Sequence, residues 1–186
     1  MSGRPDRRAQ DTARIHVMIY AALYLAIAMV LPFVTGQIPQ LGKALAPMHI
    51  PVLLCGFMCG WPWGMAVGFI APLLRGALFG MPELFPEAVV MAFEMAVYGA
   101  VAGMLYRLLP RRTWAVYASL ITAMLIGRLV WGAVYAVIAG VAGIEFTFSF
   151  FLAGAFVNAL PGIILHIALI PILVISMERA GLSATQ

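Results

Sequence analysis

Long apolar runs, separated by short breaks rich in glycine, proline and charge, organise this chain. The first run, from about Ile15 to Val34 and ending near Pro32, predicts a helix able to cross a bilayer, because about 20 apolar residues cover a hydrocarbon layer of roughly 30 Å. A loop from Thr35 to Ala46 follows, carrying Gly36, Pro39, Gly42 and Lys43. A second helix, about Pro47 to Gly60, is short for a span and meets a break at Trp61, Pro62, Trp63 and Gly64. Further helices are expected over about Trp63 to Gly80, Glu87 to Leu108, Thr113 to Gly140 and Thr147 to Met177. The last two exceed the minimum length, which predicts tilt or a partly re-entrant end.

Composition sharpens this reading: 64% of the 186 residues are hydrophobic and 10% charged, far from the roughly one-quarter charged content of soluble domains. The expected fold class is an all-α integral membrane protein of six transmembrane helices. It divides into a cytoplasmic tail (1–14), a transmembrane domain (15–178) and a short cytoplasmic tail (179–186). No room is left for a soluble catalytic domain. Arg7 and Arg8 precede the first run without a small-residue cleavage site, so the N-terminus reads as a retained tail.

Charge sets the orientation. Lys and Arg concentrate in short cytoplasmic segments, and with six spans and both termini inside, those segments hold Arg4, Arg7, Arg8, Arg14, Arg107, Arg111, Arg112 and Arg179. The outer loops hold Lys43 with Glu83, Glu87 and Glu145. The basic balance, +4 overall, is therefore topology and no footprint of nucleic acid. The predicted location is a cell membrane, crossed several times.

Three ionisable residues remain for the interior: Arg75, Glu94 and Arg128. Each is costly there, roughly 2.5–3.5 kcal/mol for Arg at a helix centre, and so marks a functional candidate. At a 1.5 Å rise per residue, Arg75 lies about 7 Å below the outer surface, Glu94 about 10 Å and Asn158 about 16 Å, with Arg128 also in the outer half. Helical spacing groups Arg128 with Trp131, Gly132 and Tyr135, Glu94 with Tyr98, and Gly154 with Asn158, Gly162 and His166. Aromatic faces, a guanidinium, a carboxylate and a carboxamide suit an outward pocket for a small polar, planar ligand. The predicted substrate-binding set is Glu94, Tyr98, Arg128, Trp131, Tyr135, Asn158, Arg75 and His49. In the competing reading Glu94 pairs with Arg75 or Arg128 to fix packing. One carboxylate cannot neutralise two guanidiniums, however, so a positive charge is left for an anionic group, water or a snorkelling exit. His166, at about 27 Å, reads as a bundle histidine.

Other chemistry is missing. The only aspartates are Asp6 and Asp11, no serine sits in a Gly-x-Ser-x-Gly elbow, and Lys43, the sole lysine, lacks a nucleotide-binding loop. No catalytic residue, cofactor or metal is expected. Cys55 and Cys59 read as packing residues. Small residues four apart mark close helix contacts: Ala22 and Ala26 on the first helix, and Gly60, Gly64, Gly68, Pro72, Gly76 and Gly80 along the third. A repeat of four drifts about 40° per step, so that glycine run winds round its helix and meets several neighbours.

The stretches Pro47-Met-His-Ile-Pro-Val-Leu-Leu-Cys-Gly-Phe, Gly60-Trp-Pro-Trp-Gly, Pro72-Leu-Leu-Arg75-Gly and, from Glu94 to Arg107, EMAVYGAVAGMLYR resemble the substrate-binding (S) components of energy-coupling factor (ECF) vitamin transporters. The resemblance implies an S-component-like bundle that captures a vitamin or related micronutrient from outside, with the loop after the first helix as a lid. It also implies docking through Ala22 and Ala26 to a transmembrane coupling (T) component carrying two cytoplasmic ATPase subunits, and release of cargo by toppling in the membrane. The alternative is a self-sufficient secondary transporter of a small polar or anionic solute, for which midplane sites and internal repeats are expected; no clear repeat is seen. In the capture reading the ligand's polar edge meets Arg128 and Asn158 and its ring packs on Trp131 or Tyr135. Replacing Arg128 by Ala should then abolish binding and leave the protein folded.

Overall fold

Apolar runs of this length fold as helices because a backbone in lipid must satisfy its own hydrogen bonds. The computed structural model describes residues 7–35, 44–110, 112–143 and 145–182. Most of the expected lid (36–43), the first six residues, Arg111, Ile144 and the last four residues lie outside that set. Helix α1 (Arg7–Val30) ends in a 3-10 turn, Leu31–Thr35, where Pro32 stops it. Helices α2 (His49–Cys59), α3 (Trp61–Phe79), α4 (Val89–Leu108) and α5 (Thr113–Ala142) follow, then a short α6 (Phe148–Leu152), a π-helical turn (Ala153–Val157) and α7 (Leu160–Arg179).

The bundle is organised around α4, which packs on α2, α3 and α5, while α1 leans on α2 and α3 and α7 on α2 and α5. Five segments are long and apolar enough to cross a membrane, among them Arg14–Val34 and Phe148–Arg179. The large apolar side chains on their outer faces, such as Ile15, Ile19, Leu78, Leu129 and Val137, are exposed, as lipid contact requires. Helix α2 is the exception. Its 11 residues rise about 16 Å, too little to span, and every one is buried. A helix apolar on all sides belongs in a core, and α2 is surrounded by α1, α3, α4 and α7. Cys55 and Cys59 pack inside it as free thiols.

The break before α3 is narrower than the sequence suggests. It is confined to Gly60, whose backbone (φ 89°, ψ 167°) is a conformation for glycine alone, and Trp61 and Pro62 already belong to α3. Proline suits the first turn, where its missing N–H is not needed. The glycine run of α3 winds as expected. A Cβ at Gly64 would lie 2.6 Å from Gly56 Cα and 2.7 Å from Gly99 O, one at Gly68 would meet the Met95 carbonyl, and one at Gly76 the Pro82 carbonyl. One helix therefore meets α2, α4 and the connection between α3 and α4 through successive glycines.

The sixth predicted helix is not continuous. Pro161 stands in the first turn of the helix that follows, where its missing N–H is not needed, and the preceding turn does not continue into it. The chain instead widens at Ala153–Val157 and restarts at Leu160. Gly154, Asn158, Gly162 and His166 consequently do not share one face. Gly154 and Asn158 line a cavity, Gly162 packs on the backbone of Ala44 and Leu45, and His166 stacks on His49 at 5.9 Å between ring centroids. The straight-helix depth of His166 is thus an overestimate.

Candidate functional site

Three basic helix ends, marked by Arg14 near the start of α1, Arg107 at the end of α4 and Arg179 at the end of α7, lie at one end of the bundle with Arg112, which precedes α5. There the Tyr106 hydroxyl donates to Glu178 Oε1 and ties α4 to α7. The opposite end holds a cavity of about 380 Å³, within the size range of small-molecule sites. Seven of the eight predicted residues line it: His49, Arg75, Glu94, Arg128, Trp131, Tyr135 and Asn158.

One wall is ionic. Arg128 Nη1 lies 3.0 Å from Glu94 Oε1, and the Tyr98 hydroxyl donates to the same oxygen at 3.0 Å. Glu94 is 1% exposed, so its charge depends on these partners. Tyr98 is the eighth predicted residue. It does not line the cavity; it lies behind Glu94, its ring against α5 where Gly127 leaves space, since a Cβ there would come 2.0 Å from Tyr98 Cε1. His49, at the start of α2, places Nε2 3.9 Å from Glu94 Oε2, beyond hydrogen-bond reach. Its ring sits between Tyr98 (5.2 Å) and His166 (5.9 Å). Both His49 nitrogens, His166 Nε2 and Arg128 Nε are buried without a hydrogen-bond partner among the described residues.

A second wall is aromatic. Trp131 and Tyr135, one helical turn apart on α5, have centroids 5.4 Å apart, and Phe150 of α6 lies 5.3 Å from Tyr135. Gly154 in the π-helical turn makes room for Trp131: a Cβ there would lie 2.9 Å from the indole Cη2. Across the cavity, Arg75 on α3 donates from Nη1 to the Met29 carbonyl of α1, with its guanidinium carbon 4.8 Å and 5.2 Å from the Phe33 and Phe79 ring centroids.

Val90, Met91 and Glu87 also line the cavity and were missed in the sequence. They stand four, three and seven residues before Glu94, so extending its helical face toward the N-terminus identifies them. Phe150, four residues before Gly154, is reached by the same extension, whereas Met81 and Pro82 carried no such signal, because they reach the cavity from the break between α3 and α4. Ala22 and Ala26 lie elsewhere, exposed on the outer face of α1 beside Leu23 and Ile27. Among the described residues no group of three or more His, Cys, Asp or Glu is placed to hold a metal ion.

One cavity thus brings together an ion pair, an aromatic wall and a buried guanidinium. No curated protein and no solved structure matches the chain. Residues 16–174, from the first helix into the last, match the family described as ECF transporter, substrate-specific component. A match over most of the chain, on an all-α bundle of apolar helices around such a cavity, establishes a multi-pass membrane protein and transporter subunit that belongs to the ECF substrate-specific component family.

Proposed function

We propose that this chain is the high-affinity capture subunit for import of a small vitamin or related micronutrient across the bacterial cytoplasmic membrane. The observation that carries the reading is the cavity at the end of the bundle opposite the arginines. Basic segments face the cytoplasm, so the cavity opens outward, with both termini inside. Arg128 and Asn158 meet the polar edge of the cargo and Trp131 and Tyr135 pack on its ring. Energy comes from a T component and two ATPase subunits. Mass spectrometry of small molecules released by denaturing the purified protein tests this: a stoichiometric vitamin-like compound is expected. An empty protein that co-purifies with no ATPase subunit overturns the reading.

Docking to the T component runs through Ala22 and Ala26, whose small side chains let another helix approach closely. Both face outward, so larger side chains there leave the bundle itself undisturbed. The double variant Ala22→Leu/Ala26→Leu is expected to keep its retained cargo and to lose co-purifying ATPase subunits by about tenfold, a change of about 1.4 kcal/mol in association. Undiminished co-purification places the docking face elsewhere.

A further inference from the structure

Two guanidiniums and two carboxylates line the cavity, those of Arg75, Arg128, Glu87 and Glu94, and their pairing decides where charge is left over. Arg128 and Glu94 neutralise each other at 3.0 Å. Arg75 is 2% exposed and makes no ion pair with a carboxylate among the described residues. The Met29 carbonyl and the Phe33 and Phe79 rings fix its orientation. A carbonyl dipole and ring faces orient a guanidinium without cancelling its charge. A guanidinium on a cavity wall with no carboxylate paired to it is a place for an anion. The chain's other acids do not supply one: Asp11 and Glu178 sit at the arginine-rich end, Glu83 and Glu145 are exposed, residues 36–43 contain neither Asp nor Glu, and Glu87, on the same cavity wall, forms no ion pair with Arg75.

We propose that Arg75 receives a carboxylate of the bound molecule, which makes the cargo a ring-bearing monocarboxylate with its ring against Trp131 and Tyr135. This rests on the capture reading and moves the charged contact from Arg128, which Glu94 already occupies, to Arg75. One guanidinium with a nitrogen held by Met29 matches a singly charged oxyanion. A phosphate dianion calls for a second unpaired cation, and the described cavity wall offers none.

Saturation-transfer NMR on the purified full-length protein, after its retained cargo has been removed, with benzoate and benzamide as probes of one shape and different charge, decides it. Benzoate is expected to bind the unaltered protein about tenfold more tightly than benzamide. Arg75→Gln should remove that preference and Arg75→Lys, which keeps the charge, should retain part of it. Equal binding of the two probes, no binding of benzoate, or a benzoate preference that survives in Arg75→Gln overturns the proposal. The comparison in the unaltered protein does not depend on either variant folding. Failure here is separable from failure of the capture reading: a neutral compound among the released molecules sinks the assignment to Arg75 alone, whereas an empty protein without ATPase partners removes the capture reading first.

Discussion

Arg128→Ala is expected to destabilise the bundle by about 3–5 kcal/mol as well as to abolish binding, because it strands a buried carboxylate. Glu94 is 1% exposed, and without Arg128 only the Tyr98 hydroxyl reaches it within hydrogen-bond distance. Had Arg128 been a solvated residue, its loss would have spared the fold, as sequence reading anticipates; the ion pair makes it a partner that the core depends on. The double variant Glu94→Gln/Arg128→Met removes both charges together and should recover most of the lost stability, since a matched pair replaced by uncharged groups is often neutral. Thermal unfolding in detergent reads the stability, and retained cargo reads the binding. A double variant that folds but is empty assigns the pair to the ligand, whereas one that keeps its cargo assigns it to packing alone. Arg128→Ala unfolding within about 1 kcal/mol of the unaltered protein would contradict the burial argument.

Gly99→Ala, a single added methyl group, is expected to cost about as much as the overpacking of a rigid core, about 1–3 kcal/mol or more. A Cβ at Gly99 would stand 2.2 Å from Gly64 O and 2.3 Å from Gly64 C. Those are backbone atoms of α3, so relief requires α4 to move off α3 as a unit. Gly56 and Gly103 lie in the same seam, with their own Cβ positions 2.4 Å from the Gly99 and Gly56 carbonyl oxygens, so the displacement loosens α2 too. Gly140 on α5 is the control: nothing lies within 4 Å of its Cβ position, and Gly140→Ala should gain a few tenths to about 1 kcal/mol from helix propensity. If the two variants unfold alike, the glycine seam is not the close contact it is taken to be here.

Much of this molecule is legible in its sequence, and the reason is periodicity. Run length located the five long spans, and the 3.6-residue repeat placed Arg128, Trp131 and Tyr135 on one face of α5 that lines the cavity. Periodicity cannot say which neighbour a face meets. Either guanidinium was a possible partner for Glu94, and the choice of Arg128 depends on how α4 and α5 abut. Phe79 is four residues from Arg75 on its own helix, but Met29 and Phe33, which complete its surroundings, are more than forty residues away, and no local pattern links them. The division of the last helix falls just before Pro161, yet Pro72 and Pro171 lie inside continuous helices, so proline alone does not mark the break in the sequence.

Cys55 and Cys59 are the only two thiols in the chain, and both lie within α2, every residue of which is buried. The packed state is therefore their protecting group. Any excursion that lifts α1 or α7 away from α2 exposes them, so the reactivity of two native cysteines keeps time for the breathing of the whole assembly, with no label engineered into it.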